Sequence, residues 1–178
     1  KIGKIRNIGL SNETPWGTME FLHQSKDKNL PRVQSIQNAY NLLNRIFEFG
    51  GSEIAFRENV GLLAYSPLAQ GYLTGKYQNG NLPKGSRKAL FDRLQRYEGV
   101  GSEEAIASYL NIAKKYNIDP SQLANQFVTT RSFVTSNIIG ATSMEQLKLA
   151  ITSIEIEMHE ELENDIEDAF KLHGNIAS

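Results

Sequence analysis

The chain has 178 residues, 40% apolar and 22% charged, with a net charge of −1 and a pI near 6.4. That is enough for one domain with a sizeable core, and it leaves no electrostatic footprint for nucleic acid or an anionic membrane surface. The absence of cysteine excludes disulfides, thiolate catalysis and zinc–thiolate sites, and no apolar run approaches the ~20 residues of a membrane helix, so a cytoplasmic protein is expected. The first residue is Lys1 rather than Met, which suggests part of a longer polypeptide or a trimmed one.

In chain order, Ile5 to Leu10 reads as a short strand closed by Ser11-Asn12-Glu13-Thr14-Pro15. Thr14-Pro15 opens a helix, because proline fits the first helical turn. Met19 and Leu22, with Phe21 beside them, give it one apolar face as far as about Ser25. Val33 to Asn38 is a second strand, made unusually polar by Ser35 and Gln37, and Ile46 to Asn59 is loop and helix. Val60 to Tyr65 is the third strand, and Ser66-Pro67 breaks it by removing a backbone donor. Ser66 to about Gly101 is a long segment rich in Gly, Asn, Lys and Arg; loops of this length are functional or disordered.

Ser102 opens a helix with Ile106, Leu110 and Ala113 on one face, ending near Asn117. Asp119-Pro120 caps another that runs to about Arg131. Val134 to Gly140 is the fourth strand, and Thr142 to Gln146 offers a capping box in either of two registers. The following helix carries Leu147, Ala150, Ile151 and Ile154, and an amphipathic helix from about His159 to Leu172 closes the series. Strands alternating with helices predict parallel βα units, in which ligands sit at the carboxyl ends of the strands. Polar residues gather at those ends: Ser11-Asn12, Gln37-Asn38, Tyr65-Ser66 and Gly140-Thr142.

Several chemistries drop out on spacing. Gly71-x-x-x-Gly75-Lys76 is one residue short of a P-loop, and Tyr77 stands where magnesium needs Ser or Thr. Tyr72-x-x-x-Lys76 has the spacing of a dehydrogenase tyrosine–lysine pair, but that pair needs a helix and Gly75 lies inside it. No G-x-G-x-x-G follows a strand. His23, His159 and His173 lack metal-ligand spacing and read as surface residues, so no metal site is expected. Glu160, Glu161, Glu163, Asp165, Glu167 and Asp168 read as a solvated acidic face. Tyr65 suits a core aromatic or a ligand-stacking ring equally well. Thr142 to Gln146 can cap a helix and, at its positive dipole end, also receive a phosphate. Lys76 and Arg87 supply cations that could close on the same ligand.

Five motifs in order then resemble one family. They are Gly9-Leu10-Ser11-Asn12, Gln37-Asn38-x-Tyr40-Asn41-Leu42-Leu43, Ala64-Tyr65-Ser66-Pro67-Leu68, Leu73-Thr74-Gly75-Lys76-Tyr77 and Gly140-Ala141-Thr142-Ser143-x-x-Gln146-Leu147. They resemble the aldo-keto reductases, in the branch that holds the bacterial Tas protein and the potassium-channel beta subunits, over nearly the whole chain. The resemblance implies an α/β fold, the C-terminal half (strands five to eight) of a (β/α)8 TIM barrel, binding NADPH in extended form. It further implies that Ser11, Asn12 and Gln37 hydrogen-bond the nicotinamide carboxamide and that Tyr65 stacks on the ring. Ser66, Pro67, Leu68, Ala69, Gln70 and Gly71 would line the pyrophosphate, with Lys76 nearby. Arg87, Thr142 and Gln146, beside Gly140, would hold the adenosine 2′-phosphate.

Two departures from the family pattern stand out. Ala150 replaces the usual adenine-binding Asn, and Leu149 replaces a frequent acid just before it. The family's catalytic Asp, Tyr, Lys and His belong to the first half of the barrel, so no catalytic residue is expected among these 178. Four βα units are half of a barrel that usually needs about 250 residues, and an open half exposes two strand edges. The expected partner is therefore the missing N-terminal half, or another chain that closes the sheet, with a small carbonyl substrate in the complete oxidoreductase. A catalytically silent NADPH-binding or regulatory subunit is the alternative.

Overall fold

The computed structural model describes residues 3–91 and 95–177. Four strands, β1 (Ile8–Ser11), β2 (Val33–Ala39), β3 (Gly61–Tyr65) and β4 (Val134–Ile138), form one parallel sheet in sequence order. Helices α1 (Pro15–Asp27), α2 (Gly51–Glu58), α3 (Arg87–Leu90), α4 (Ser102–Lys115) and α5 (Pro120–Thr129) lie between the strands. Helices α6 (Met144–Thr152) and α7 (Glu160–His173) follow β4. The expected α/β fold is present, and a parallel sheet in sequence order with helical crossovers is consistent with half of a (β/α)8 barrel. No helix among the described residues is long and apolar enough to cross a membrane.

Residues alternate between the faces of a strand, so the register sorts the sheet into two surfaces. Leu10 pairs with Ile36, Ile36 with Leu62, and Asn38 with Ala64, which puts these on one face. Ile36, Leu62 and Ala64 are buried there beneath helices, with α1 on β2, α2 on β3 and α5 on β4. Ser11 pairs with Gln37, Gln37 with Leu63, and Ala39 with Tyr65, which puts these on the other face. Ser11 and Gln37 are exposed. Among the described residues that face carries no helix, and β1 and β4 each pair along one edge only. Gly61, on this face, has no room for a side chain: a Cβ there would meet Thr135 Oγ1 at 1.8 Å.

Boundaries moved where backbone bonding overrode pattern. β1 starts at Ile8 rather than Ile5, and β4 stops at Ile138 rather than Gly140, because the parallel ladder ends at those positions. The two capping registers resolve to one, in which Ser143 Oγ accepts from Gln146 N at 3.2 Å and Gln146 Oε1 accepts from Thr142 N at 2.9 Å. The apolar stripe of the following helix is not buried. Ile151 is exposed, Ile154 falls in a separate 3₁₀ turn, and α6 rests on α5 through its polar flank, where Gln122 Nε2 donates to Thr152 Oγ1 at 2.9 Å.

The acidic face of α7 does more than meet water. Glu167 pairs with Arg45 at 2.7 Å, Asp165 with Lys115 at 2.6 Å, and Glu163 with Arg131. These partners lie on the loop after β2, on α4 and just past α5, so the pairs tie the last helix to the body. His159 caps α7, its Nδ1 accepting from Leu162 N at 3.3 Å, and His173 Nε2 lies 2.9 Å from Ser108 Oγ.

Candidate functional site

Two residues end the strands at one end of the open face. Ser11 is the last residue of β1, and Tyr65 the last of β3. Gln37 stands opposite Ser11 in the parallel register, and Tyr65 lies one row further along on the same face. Asn12 follows with left-handed backbone at φ 53°, its N–H donating to the Gln37 carbonyl at 3.0 Å. Tyr65 Oη donates to Asn12 Oδ1 at 2.7 Å. Ser11, Asn12, Gln37 and Tyr65, picked from separate stretches of sequence, therefore form one cluster. A cavity of about 330 Å³ adjoins it, with Asn12, Tyr65 and Arg96 on its polar side and Ile36, Phe47 and Ile54 on its apolar side.

The stretch after β3 turns sharply. Ser66, Ala69 and Gln70 all have positive φ, at 58°, 47° and 59°, followed by Gly71 at 101°. Three non-glycine residues in that region within five positions store strain of about 1 kcal/mol or more each, held by local bonds. Ala69 N donates to the Ser66 carbonyl at 2.9 Å, and Gly71 N to the Leu68 carbonyl at 2.8 Å. Pro67 and Ala69 are buried, and Gln70 Oε1 is buried with no hydrogen-bond partner among the described residues. Lys76 folds back on this turn, its Nζ 2.9 Å from where a Gly71 Cβ would stand. The 3₁₀ turn stops at Thr74, so Tyr72 and Lys76 do not share a helix, as expected.

Further along, described residues of the long segment are tied by an aromatic and ionic cluster. Tyr72 Oη donates to Glu98, and Lys88 Nζ pairs with Glu98 at 2.6 Å. Tyr77 Oη accepts from Lys88 N at 3.2 Å, with the Tyr72 and Tyr77 rings 4.9 Å apart. The hydrogen bonds from Lys88 and Tyr72 hold the Glu98 carboxyl below its ordinary value, while burial, then Glu98, pushes the Tyr72 phenol up.

Arg87 is exposed in the first turn of α3 and, among the described residues, shares no hydrogen bond or ion pair with Thr142 or Gln146. Thr142 and Gln146 are joined to each other at the exposed start of α6. Gly140 is exposed, with nothing within 4 Å of a would-be Cβ.

Three residues at this end were given no role by the sequence reading. Asn41 is fully buried, and its Nδ2 donates both to the Ser66 carbonyl and to Tyr97 Oη, each at 2.9 Å. Tyr97 is 1% exposed, and burial pushes its phenol up. Arg96 Nη1 donates to Tyr65 Oη at 3.3 Å, a bond that raises the Arg96 guanidinium. Asn41 lies inside a motif that the resemblance had already singled out. Arg96 and Tyr97 are anonymous in a long polar stretch, and only the return of the chain brings them here.

Comparison with known proteins agrees with this architecture. The model of the aldo/keto reductase family matches residues 1–170. Protein tas of Escherichia coli (strain K12) is 47% identical over 173 residues, covering 97% of this chain and 50% of that protein. An aldo-keto reductase of Babesia bovis is 42% identical over 152 residues, covering 82% of this chain and 53% of that protein. L-glyceraldehyde 3-phosphate reductase of E. coli (strain K12) is 32% identical over 154 residues, covering 82% and 43%. The chain thus spans about half the length of the curated relatives it matches. With the family model running through all four strands and the clustered strand ends, this chain belongs to the aldo/keto reductase family.

Proposed function

We propose that the chain is the NADPH-binding, C-terminal half of a carbonyl reductase barrel, closed along β1 and β4 by the N-terminal half of the same domain. The observation that carries the reading is the convergence of Ser11, Asn12, Gln37 and Tyr65 at one end of an open sheet face. Amide and hydroxyl groups there suit a carboxamide, and an aromatic ring beside them suits a flat heterocycle. The strained turn from Ser66 to Gly71 fits an extended pyrophosphate: the Ser66, Leu68 and Gly71 carbonyls are taken up locally, and Lys76 sets a cation against it. Thr142 and Gln146 at the N-terminus of α6, with the exposed guanidinium of Arg87, would bind the 2′-phosphate.

When bound, NADPH supplies the hydride that reduces an aldehyde or ketone to an alcohol. The residues of this chain bind and orient; the proton donor belongs to the other half of the barrel. The test is titration of the full-length polypeptide with NADPH and NADH, followed by nucleotide fluorescence. Lys76→Met is expected to weaken both nucleotides and Thr142→Ala NADPH alone, each by about tenfold, as for loss of a charge-assisted hydrogen bond. A flat NADPH titration with folded protein refutes the reading.

A further inference from the structure

Arg96, Tyr65 and Asn12 form a chain of hydrogen bonds whose direction is set by its first member. A guanidinium can only donate. Arg96 Nη1 donates to Tyr65 Oη at 3.3 Å, which occupies an acceptor position of the phenol. The one phenol proton then points onward, to Asn12 Oδ1 at 2.7 Å. With Oδ1 turned toward Tyr65, the Asn12 amide presents Nδ2 away from it, and among the described residues Nδ2 donates to nothing. We propose that Arg96 is a positioning residue, which acts through Tyr65 to fix the Asn12 side chain with its NH2 group facing the ligand. The ligand atom it selects is an acceptor, the carbonyl oxygen of a carboxamide. The inference rests on the proposed nicotinamide site.

The geometry that delivers Arg96 is built rather than incidental. Its neighbour Tyr97 is 1% exposed and anchored to Asn41 at 2.9 Å, and the second Asn41 amide proton goes to the carbonyl of Ser66 at 2.9 Å. Two adjacent residues, Arg96 and Tyr97, thus fasten two adjacent residues, Tyr65 and Ser66, across a separation of 31 positions for the first pair. Asn41, itself fully buried, spends both amide protons on this fastening. The fastening ties Tyr97 to the residue after Tyr65, so the placement of Arg96 beside the Tyr65 hydroxyl is inherited from the core.

The relay predicts a loss confined to the nicotinamide end. In the full-length polypeptide, affinity is measured for NADPH and for 2′,5′-ADP, which lacks nicotinamide, with Arg96→Met, Arg96→Lys and Tyr65→Phe. Arg96→Met is expected to weaken NADPH about tenfold, the size of one lost charge-assisted bond, and to leave 2′,5′-ADP unchanged. Arg96→Lys, still a pure donor, should restore most of the NADPH affinity. Tyr65→Phe keeps the ring, and combined with Arg96→Met it should add nothing further. NADPH binding unaffected by Arg96→Met overturns the relay while leaving the cofactor site standing. Equal losses for both ligands overturn it in favour of a collapsed segment. Absence of NADPH binding to the unmutated protein overturns the site and the relay together.

Discussion

Arg45 is 5% exposed, yet its guanidinium engages two carboxylates. Its Nε and Nη2 donate to Glu48 at 2.8 and 2.9 Å, Nη2 also reaches Glu167 at 2.7 Å, and the guanidinium lies 4.1 Å from the Phe170 ring centroid. Burial alone would lower the guanidinium, but the bonds from Glu48 and Glu167 outweigh it and raise it. Arg45→Met keeps the apolar stem between Phe127 and Phe170 and removes the charge. Glu167 can turn to water, since 37% of its side chain is exposed, but Glu48, at 22%, is left with the Tyr40 hydroxyl as its main donor. Breaking a buried pair in this way costs about 3–5 kcal/mol; with Glu167 released to solvent, the lower end, about 3 kcal/mol, is expected.

With an unfolding entropy of about 2.1 cal/mol/K per residue, a polypeptide of about twice this length would fall in Tm by about 4 °C, read by circular dichroism on the full-length polypeptide. The same physics predicts recovery. Arg45→Met combined with Glu48→Leu and Tyr40→Phe removes the orphaned carboxylate and phenol together and should return most of the loss, because well-packed apolar replacements of buried ion networks are close to neutral. A loss below about 1 kcal/mol in the single variant, or a triple variant no better than the single, would refute the reasoning.

Glu98 gives a pH prediction. Lys88 and Tyr72 hold its carboxyl below the ordinary value of 4.5, so its contribution is fully present above that value and is lost as pH falls through the depressed one. Limited proteolysis within residues 66–98 should therefore accelerate below about pH 4.5, and Glu98→Gln should show the faster cleavage already at neutral pH; identical rates at both pH values would count against the cluster. Ser143→Ala removes the cap from α6 and should destabilise that helix by about 1 kcal/mol, seen as faster amide exchange at Gln146 with little change elsewhere.

Much of the fold was legible because it is local. Thr14-Pro15 and Asp119-Pro120 announce helices through the first-turn geometry of proline, and the apolar runs before Ser11 and Ser66 announce strands; each depends on residues within one turn or one strand. The site was half legible for the same reason. Strand alternation and the family motifs pointed to Ser11, Gln37 and Tyr65 one by one.

Tertiary structure decided how they meet. The parallel register that sets Gln37 beside Ser11 is a pairing between segments, absent from either one. Ser66, Ala69 and Gln70 carry no side-chain signal for left-handed backbone; the bonds of the turn and the Asn41 amide on the Ser66 carbonyl hold it. The acids of α7 look like a solvated face because Arg45 and Arg131 are remote in sequence, and Coulomb attraction acts over distance in space. What the chain determines by itself is therefore which groups arrive at the open ends of its strands. Which of them touch, and in which direction the hydrogen bonds run, is settled only when distant segments close on one another.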